Sequence, residues 1–233
     1  MNTKISFVAL VLAAGASQRM GQDKLFAPLL GRPLLSWSLE VLQRSPLIKE
    51  IVLVLNPANW KPGQKLVAEF GFTKVVQFCL GGERRQDSAR RGLEAAPAHP
   101  WVLTYDGARP CLSSDIIERG AEAVVSSGAA LAAVPVKDTV KEVKAGWVEA
   151  TPPREGLWLA QTPQLFHSDL LKQAYAAIGD AEVTDDASAV ERLGHKVAVF
   201  MGAYENIKVT TPEDLVLAES FLKRRVYAGG VRL

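Results

Sequence analysis

Ile5-Ser6-Phe7-Val8-Ala9-Leu10-Val11-Leu12 runs into Ala13-Ala14-Gly15-Ala16-Ser17-Gln18-Arg19-Met20-Gly21-Gln22-Asp23-Lys24. The first part is apolar almost throughout, as expected of a strand buried on both faces. A helical pattern opens at Pro33, so the segment between sits at the carboxyl end of a strand. Its small residues let a ligand approach the backbone, and exposed amides in such a loop bind phosphate oxygens. Arg19 and Lys24 add two positive charges. Strand, small-residue loop, two cations and helix together point to a nucleoside triphosphate. Two familiar phosphate loops are excluded by spacing. Five residues separate Gly15 from Gly21 with no Gly-Lys-Ser/Thr after them, and there is no Gly-x-Gly-x-x-Gly.

Outward from this loop the same alternation repeats. Pro33 to about Arg44 reads as a helix with Leu35, Leu39 and Leu42 on one face, and Glu50–Leu55 as a second buried strand. Helix (63–70), strand (74–80), the turn Gly81-Gly82, helix (84–95) and strand (101–105, ending at Asp106) follow. Ser113-Ser114-Asp115 starts a helix with Ile116, Ile117, Ala121 and Val124 inward, and Ala129–Val134 is a strand. From Pro135 to Thr162 no helical period appears, and Gly146 and Pro152-Pro153 interrupt β-favouring residues. This stretch reads as a β-arm projecting over about residues 136–161, with Trp147 and Trp158 suited to packing on a second subunit. Beyond it, Ser168 caps a helix to about Ile178, and Thr184-Asp185-Asp186 caps another. Lys196–Met201 and a short Asn206–Val209 are strands, Thr211-Pro212-Glu213-Asp214 opens a last helix, and Arg224–Leu233 frays. The expectation is a single α/β domain over 1–233, with a Rossmann-like, mostly parallel sheet, helices on both faces and the protruding arm. Ligands in such sheets bind at the carboxyl ends of strands, where the first loop, Gly81-Gly82 and Asp106 all fall.

Composition narrows the function. A 48% hydrophobic content supports one sizeable core, and a net charge of +2 is too small to argue for nucleic-acid or membrane binding, so neither partner is expected and basic residues must matter by position. Cys79 and Cys111 give neither a disulfide framework nor metal-ligand spacing, which suits the reducing cytoplasm. Lys4, the apolar Ile5–Ala14 and Ala14-Gly15-Ala16 imitate a secretory signal. Cleavage there would remove the first strand of the sheet, so the strand reading stands. No apolar stretch approaches the ~20 residues that span a bilayer.

Asp106-Gly107-Ala108-Arg109-Pro110 follows a buried strand, and Asp106 is placed to take a hydrated divalent cation or a ribose hydroxyl. Gly82, Glu83 and Ser88 either read a base edge or form only a turn and a helix start. Lys208 either guards a sheet edge or points at phosphate. Asp185 and Asp186 include at least one helix cap. His99, His167 and His195 stand in unrelated contexts, and no nucleophile–His–acid set is visible. A phosphate monoester is already anionic and needs cations, alignment and Mg²⁺ rather than a strong base.

Taken in order, Ala13-Ala14-Gly15-(x)3-Arg19-Met20, Asp106-Gly107-Ala108-Arg109-Pro110, Thr162-Pro163-Gln164, Thr184-Asp185-Asp186-Ala187-Ser188 and Asn206-Ile207-Lys208-Val209-Thr210 make the chain similar to the 2-C-methyl-D-erythritol 4-phosphate cytidylyltransferase family. The resemblance spans nearly the whole chain. It implies that Arg19 and Lys24 contact CTP phosphates, with Ala14, Gly15, Gly82, Glu83 and Ser88 holding cytosine and ribose. Asp106 and Arg109 would lie between ribose, metal and the acceptor, a sugar-alcohol phosphate. Thr139 and Arg154 would serve the partner subunit's site in an arm-joined homodimer, and Thr162, Thr184 and Lys208 would complete the site. Mg²⁺ or another divalent cation is implied. Three departures stand out: Asp23-Lys24-Leu25-Phe26 at the loop end, which also suits molybdenum-cofactor nucleotidyltransferases, Gly107 for a frequent alanine, and Glu83 for a frequent aspartate. The chain ends where a cyclodiphosphate synthase domain is fused in some relatives, so one activity is expected. Cytidylyl transfer to ribitol 5-phosphate or molybdopterin, and a non-catalytic nucleotide-binding regulator, are the rival readings.

Overall fold

A computed structural model describes residues 5–15 and 24–229. Phe7–Ala13 (β1) lies inside a seven-stranded sheet, between Ile48–Leu55 (β4) and Trp101–Asp106 (β6), parallel to both. Because β1 is buried on both faces, its alternate side chains feed different cores. Phe7, Ala9, Val11 and Ala13 join one apolar cluster, and Val8 and Leu10 join the other. Ile51, Leu53 and Leu55 of β4 share the first cluster, while Val52 and Val54 share the second.

The first cluster is closed by Leu34–Arg44 (α1), Trp60–Phe70 (α2), Ser114–Ser127 (α4) and Pro212–Gly229 (α7). The second is closed by Arg85–Ala95 (α3), Ser168–Ile178 (α5) and Asp186–Glu191 (α6). Each helix contributes one apolar stripe: Leu34, Leu35, Leu39 and Leu42 on α1, and Ile116, Ile117, Ala121 and Val124 on α4. Full burial of one such side chain contributes about 1.5–3 kcal/mol, so two faces stabilise far more than one hairpin could.

The strand order is completed by Val75–Leu80 (β5) beyond β4, and by Trp158–His167 (β10), Ala129–Pro135 (β7) and Ala198–Met201 (β11) beyond β6. Strand β10 is antiparallel to both its neighbours, β6 and β7. A small hairpin, Pro28–Leu29 (β2) with Arg32–Pro33 (β3), precedes α1, and a second, Glu142–Lys144 (β8) with Trp147–Ala150 (β9), forms the arm.

Four expectations change. Residues Trp158–Gln161, expected in the arm, already belong to β10 in the main sheet. Asn206–Val209 is not a strand; Val209 N donates to Ala108 O at 2.9 Å, outside any ladder. Ser168 is the first helical residue, and its hydroxyl donates to His99 O rather than capping α5. Helix α7 runs on to Gly229 instead of ending near Arg224, because Arg225 Nη1 donates to the carbonyls of Cys111 and Leu112. No helix among the described residues is long and apolar enough to cross a membrane.

Candidate active site

The parallel strands β6, β1, β4 and β5 run in that order across the sheet, and loops leaving their carboxyl ends make one rim. Strand β1 delivers Ala14 and Gly15, β5 delivers Gly81 and Gly82, and β6 delivers Asp106. The loops are tied together. Asn56, just after β4, donates its side-chain amide to Ala14 O at 3.3 Å, and Gly82 N donates to Ser88 Oγ at 3.1 Å. Gly81 must lack a side chain, since a Cβ there would stand 2.3 Å from Ala14 Cβ and 2.7 Å from Ser88 Oγ. Gly107 is also hemmed in, with Leu35 Cδ1 at 3.0 Å and Leu12 O at 3.2 Å from a hypothetical Cβ.

The rim encloses a cleft of about 340 Å³ lined by Ala14, Gly15, Lys24, Gly82, Glu83 and Ser88, together with Arg85, Asp106 and Lys208. Beside it lies a cavity of about 210 Å³ lined by Arg109, Thr162, Gln164, Thr184 and Asp185, and again by Arg85, Asp106 and Lys208. Those last three residues form the wall between the two spaces.

Asp106 is the centre of that wall. It is only 7% exposed, and cations from three separate segments surround it. Arg85 Nε donates to Oδ1 at 3.1 Å, Lys208 Nζ lies 3.1 Å from Oδ2, and Arg109 Nε lies 3.5 Å from the same oxygen. Burial pushes the Asp106 carboxyl upward, but Arg85, Lys208 and Arg109 outweigh it and hold it well below the usual carboxylate range. The group is therefore an anion at any ordinary pH.

Thr162 Oγ1 accepts from Asp106 N at 3.0 Å, which fixes β10 to the end of β6. Arg109 is anchored by Nη1 donating to Asn206 O at 2.7 Å. Asn206 is fully buried: its Nδ2 donates to Thr162 O, and its Oδ1 accepts from Tyr105. Thus the segment carrying Lys208 is held by its own first residue.

The structure brings together eleven of the singled-out residues: Ala14, Gly15, Lys24, Gly82, Glu83, Ser88, Asp106, Arg109, Thr162, Thr184 and Lys208. Arg19 lies outside the described residues. Thr139 and Arg154 stand exposed on the arm and line neither space. Glu83 lines the cleft and is exposed. Asp185 caps α6, with its Oδ1 accepting from Ser188 N at 2.9 Å, whereas Asp186 has no exposed surface and pairs with Arg85.

Sequence reasoning passed over Arg85, Asp186 and Asn206 as site residues. Their partners lie about a hundred residues away. One local signal existed: Arg84-Arg85 puts two cations at a helix N-terminus, where the helix dipole disfavours them. Such a placement needs a carboxylate partner. Among the described residues no group of three or more His, Cys, Asp or Glu side chains is placed to hold a metal. The wall offers one carboxylate, which fits magnesium's habit of taking one or two protein carboxylates beside substrate phosphates and water.

Residues 7–224 match the family model described as IspD, 2-C-methyl-D-erythritol 4-phosphate cytidylyltransferase. A protein of that name from Dehalococcoides mccartyi is 50% identical over 226 residues, covering 96% of this chain and 98% of its own. Among solved structures, 4-diphosphocytidyl-2C-methyl-D-erythritol synthase from Anaerococcus prevotii superposes with a TM-score of 0.82 at 30% identity, covering 94% of this chain and 99% of its own. The 2-C-methyl-D-erythritol 4-phosphate cytidylyltransferase of Thermus thermophilus gives 0.79 at 36% identity, covering 94% and 100%.

Proposed function

The chain belongs to the 2-C-methyl-D-erythritol 4-phosphate cytidylyltransferase family, and from that membership we infer how its two adjoining spaces divide the reaction. The enzyme joins CTP and 2-C-methyl-D-erythritol 4-phosphate, releasing pyrophosphate and forming 4-diphosphocytidyl-2-C-methyl-D-erythritol, in non-mevalonate isoprenoid precursor synthesis. In our reading, CTP occupies the larger cleft and the acceptor phosphate the smaller cavity. The observation that supports this is the wall they share, in which one buried anion, Asp106, is flanked by cations that face both sides.

The acceptor phosphate attacks the α-phosphorus of CTP in line, the bond to the β-phosphate oxygen breaks, and pyrophosphate leaves. No strong base is needed, because the nucleophile is an ionised phosphate. Backbone groups at Ala14, Gly15, Gly82 and Glu83, with Ser88, hold base and ribose. Arg19 and Lys24 bind the triphosphate, and with Lys208 they counter the charge that grows on the α-phosphoryl group, while Lys208 and Arg109 orient the acceptor, with Thr162 and Thr184 beside them. Magnesium would be held chiefly by the triphosphate, with Asp106 as its one protein carboxylate, and would supply further neutralisation of phosphate charge.

We further propose a homodimer. The arm hairpin presents apolar side chains to solvent, Trp147 being 79% exposed and Val143 and Val148 each 60% exposed, a pattern that calls for a partner surface. Thr139 and Arg154, remote from their own protomer's cavities, then reach the acceptor in the other protomer. The cytoplasm suits an enzyme with no disulfide between its two cysteines.

Pyrophosphate release, screened with four nucleotides against methylerythritol, ribitol and other sugar phosphates, tests the assignment. CTP with methylerythritol phosphate is expected to be fastest, and turnover with a different pair alone would refute it. Gly81→Ala forces the loop after β5 against the immobile Cβ of Ala14, so KM for CTP is expected to rise about tenfold with a native circular dichroism spectrum. An unchanged KM would place CTP elsewhere.

A further inference from the structure

We propose that Arg85 is a positioning residue: with Asp186, Tyr175 and Thr104 it forms a buried brace that fixes the Asp106 carboxylate between the two substrate spaces. The inference rests on the division of the site argued above.

The brace is built from inside the sheet outward. Asp186 is fully buried at the start of α6. Thr104 Oγ1, from β6, donates to its Oδ2 at 2.6 Å, and the Tyr175 hydroxyl, from α5, donates to its Oδ1. Arg85 Nη1 and Nη2 close on the same two oxygens, each at 2.9 Å, as a parallel bidentate pair. A carboxylate so buried is costly unless every lone pair is met, and here four donors from three elements meet them. The guanidinium plane is therefore set by Asp186, not by solvent.

Its remaining edge is what matters for the site. Nε of the same rigid plane donates to Asp106 Oδ1 at 3.1 Å. Three of the five guanidinium protons are thus committed to carboxylates. Arg85 differs in this from Lys208, whose side chain is 41% exposed and ends in a mobile ammonium. Holding Oδ1 turns Oδ2 toward Lys208 and Arg109, the cations assigned to the acceptor. Lysine at position 85 would keep the charge, but as a point donor it cannot hold both carboxylates in one plane.

Two variants test the brace, each measured with CTP and 2-C-methyl-D-erythritol 4-phosphate and by thermal melting. Arg85→Gln with Asp186→Asn removes both buried charges together, so neither is stranded. It is expected to melt close to the wild type, lower kcat about 30-fold and change KM for CTP less than about threefold, the pattern of misalignment rather than lost binding. Arg85→Lys, which leaves Asp186 neutralised, is expected to lose about tenfold in kcat with the same KM pattern. Wild-type kcat in either folded variant, or a loss confined to KM for CTP, overturns the proposal. A crystal structure of the double variant reads the brace without any turnover: the Asp106 carboxylate is expected to leave its present orientation, and an unmoved carboxylate overturns the proposal. A wild type that transfers nothing between these substrates would count against the reaction assignment instead, and the crystallographic result would still decide the brace.

Discussion

Replacing Lys24 with alanine is expected to lower kcat by about 10²–10³-fold and leave the protein folded. The two halves of that expectation come from different atoms of one residue. The backbone at Lys24 and Leu25 is structural: Ala27 N donates to Lys24 O at 3.2 Å, and Leu35 N, at the start of α1, donates to Leu25 O at 2.9 Å. Leu25 is 2% exposed and anchors the segment in the first core cluster. Alanine preserves all of this. Lys24 also lines the cleft, where removing a group that stabilises transition-state charge raises the barrier by about 2.7–4 kcal/mol. Stability should move by no more than about 0.5 kcal/mol, the usual range for a partly exposed truncation. Rate and melting temperature measured side by side separate the two effects. Half the wild-type rate in a folded Lys24→Ala would remove this cation from the mechanism.

Arg154→Ala is expected to be nearly as inactive, yet to be rescued by a second inactive variant. If Arg154 acts in the opposite protomer, a heterodimer of Lys24→Ala and Arg154→Ala contains one site defective in both residues and one intact site. Unfolding and refolding an equal mixture makes about half of all dimers mixed, so about a quarter of wild-type activity should return. Neither variant alone can supply it. The geometry behind this is the exposed position of Arg154, where its guanidinium donates to Lys137 O of its own arm and, among the described residues, lines neither cavity. Activity that stays at the level of the separate variants would show that each protomer works alone, and light scattering would show whether the dimer exists.

Most of the fold can be read from local pattern. Strands β1 and β4 are apolar runs because helices cover both their faces, and turn signals such as Gly81-Gly82 mark where loops leave the sheet. Strand β10 is harder to see because Thr162-Pro163-Gln164 lies inside it. Proline cannot donate to a ladder, and the pairing of β10 with β7 is irregular between Ala160 and Gln164, where that proline falls. Asn206–Val209 errs the other way. Its residues favour a strand, but side-chain hydrogen bonds from Asn206 take the place of a ladder partner.

The site divides similarly. Lys24, Gly82, Asp106 and Lys208 follow from strand ends and charge, and Thr139 and Arg154 came only from family likeness. The brace was invisible because its value lies in the pairing of Arg85 with Asp186 across the domain, and Asp186 next to a genuine helix cap looks like more of the same. Pairing over such separations depends on the finished sheet, so no local window contains it.

The arm leaves the sheet at the end of β7 and comes back at the start of β10, two strands that already lie side by side and antiparallel, with Val136 N donating to Leu157 O at 3.0 Å across the exit. It is thus a graft on the tip of an ordinary hairpin. Lengthening, shortening or exchanging it leaves every rung of the main ladder in register, so the arm is free to vary while the strand ends that carry the candidate site stay unaltered.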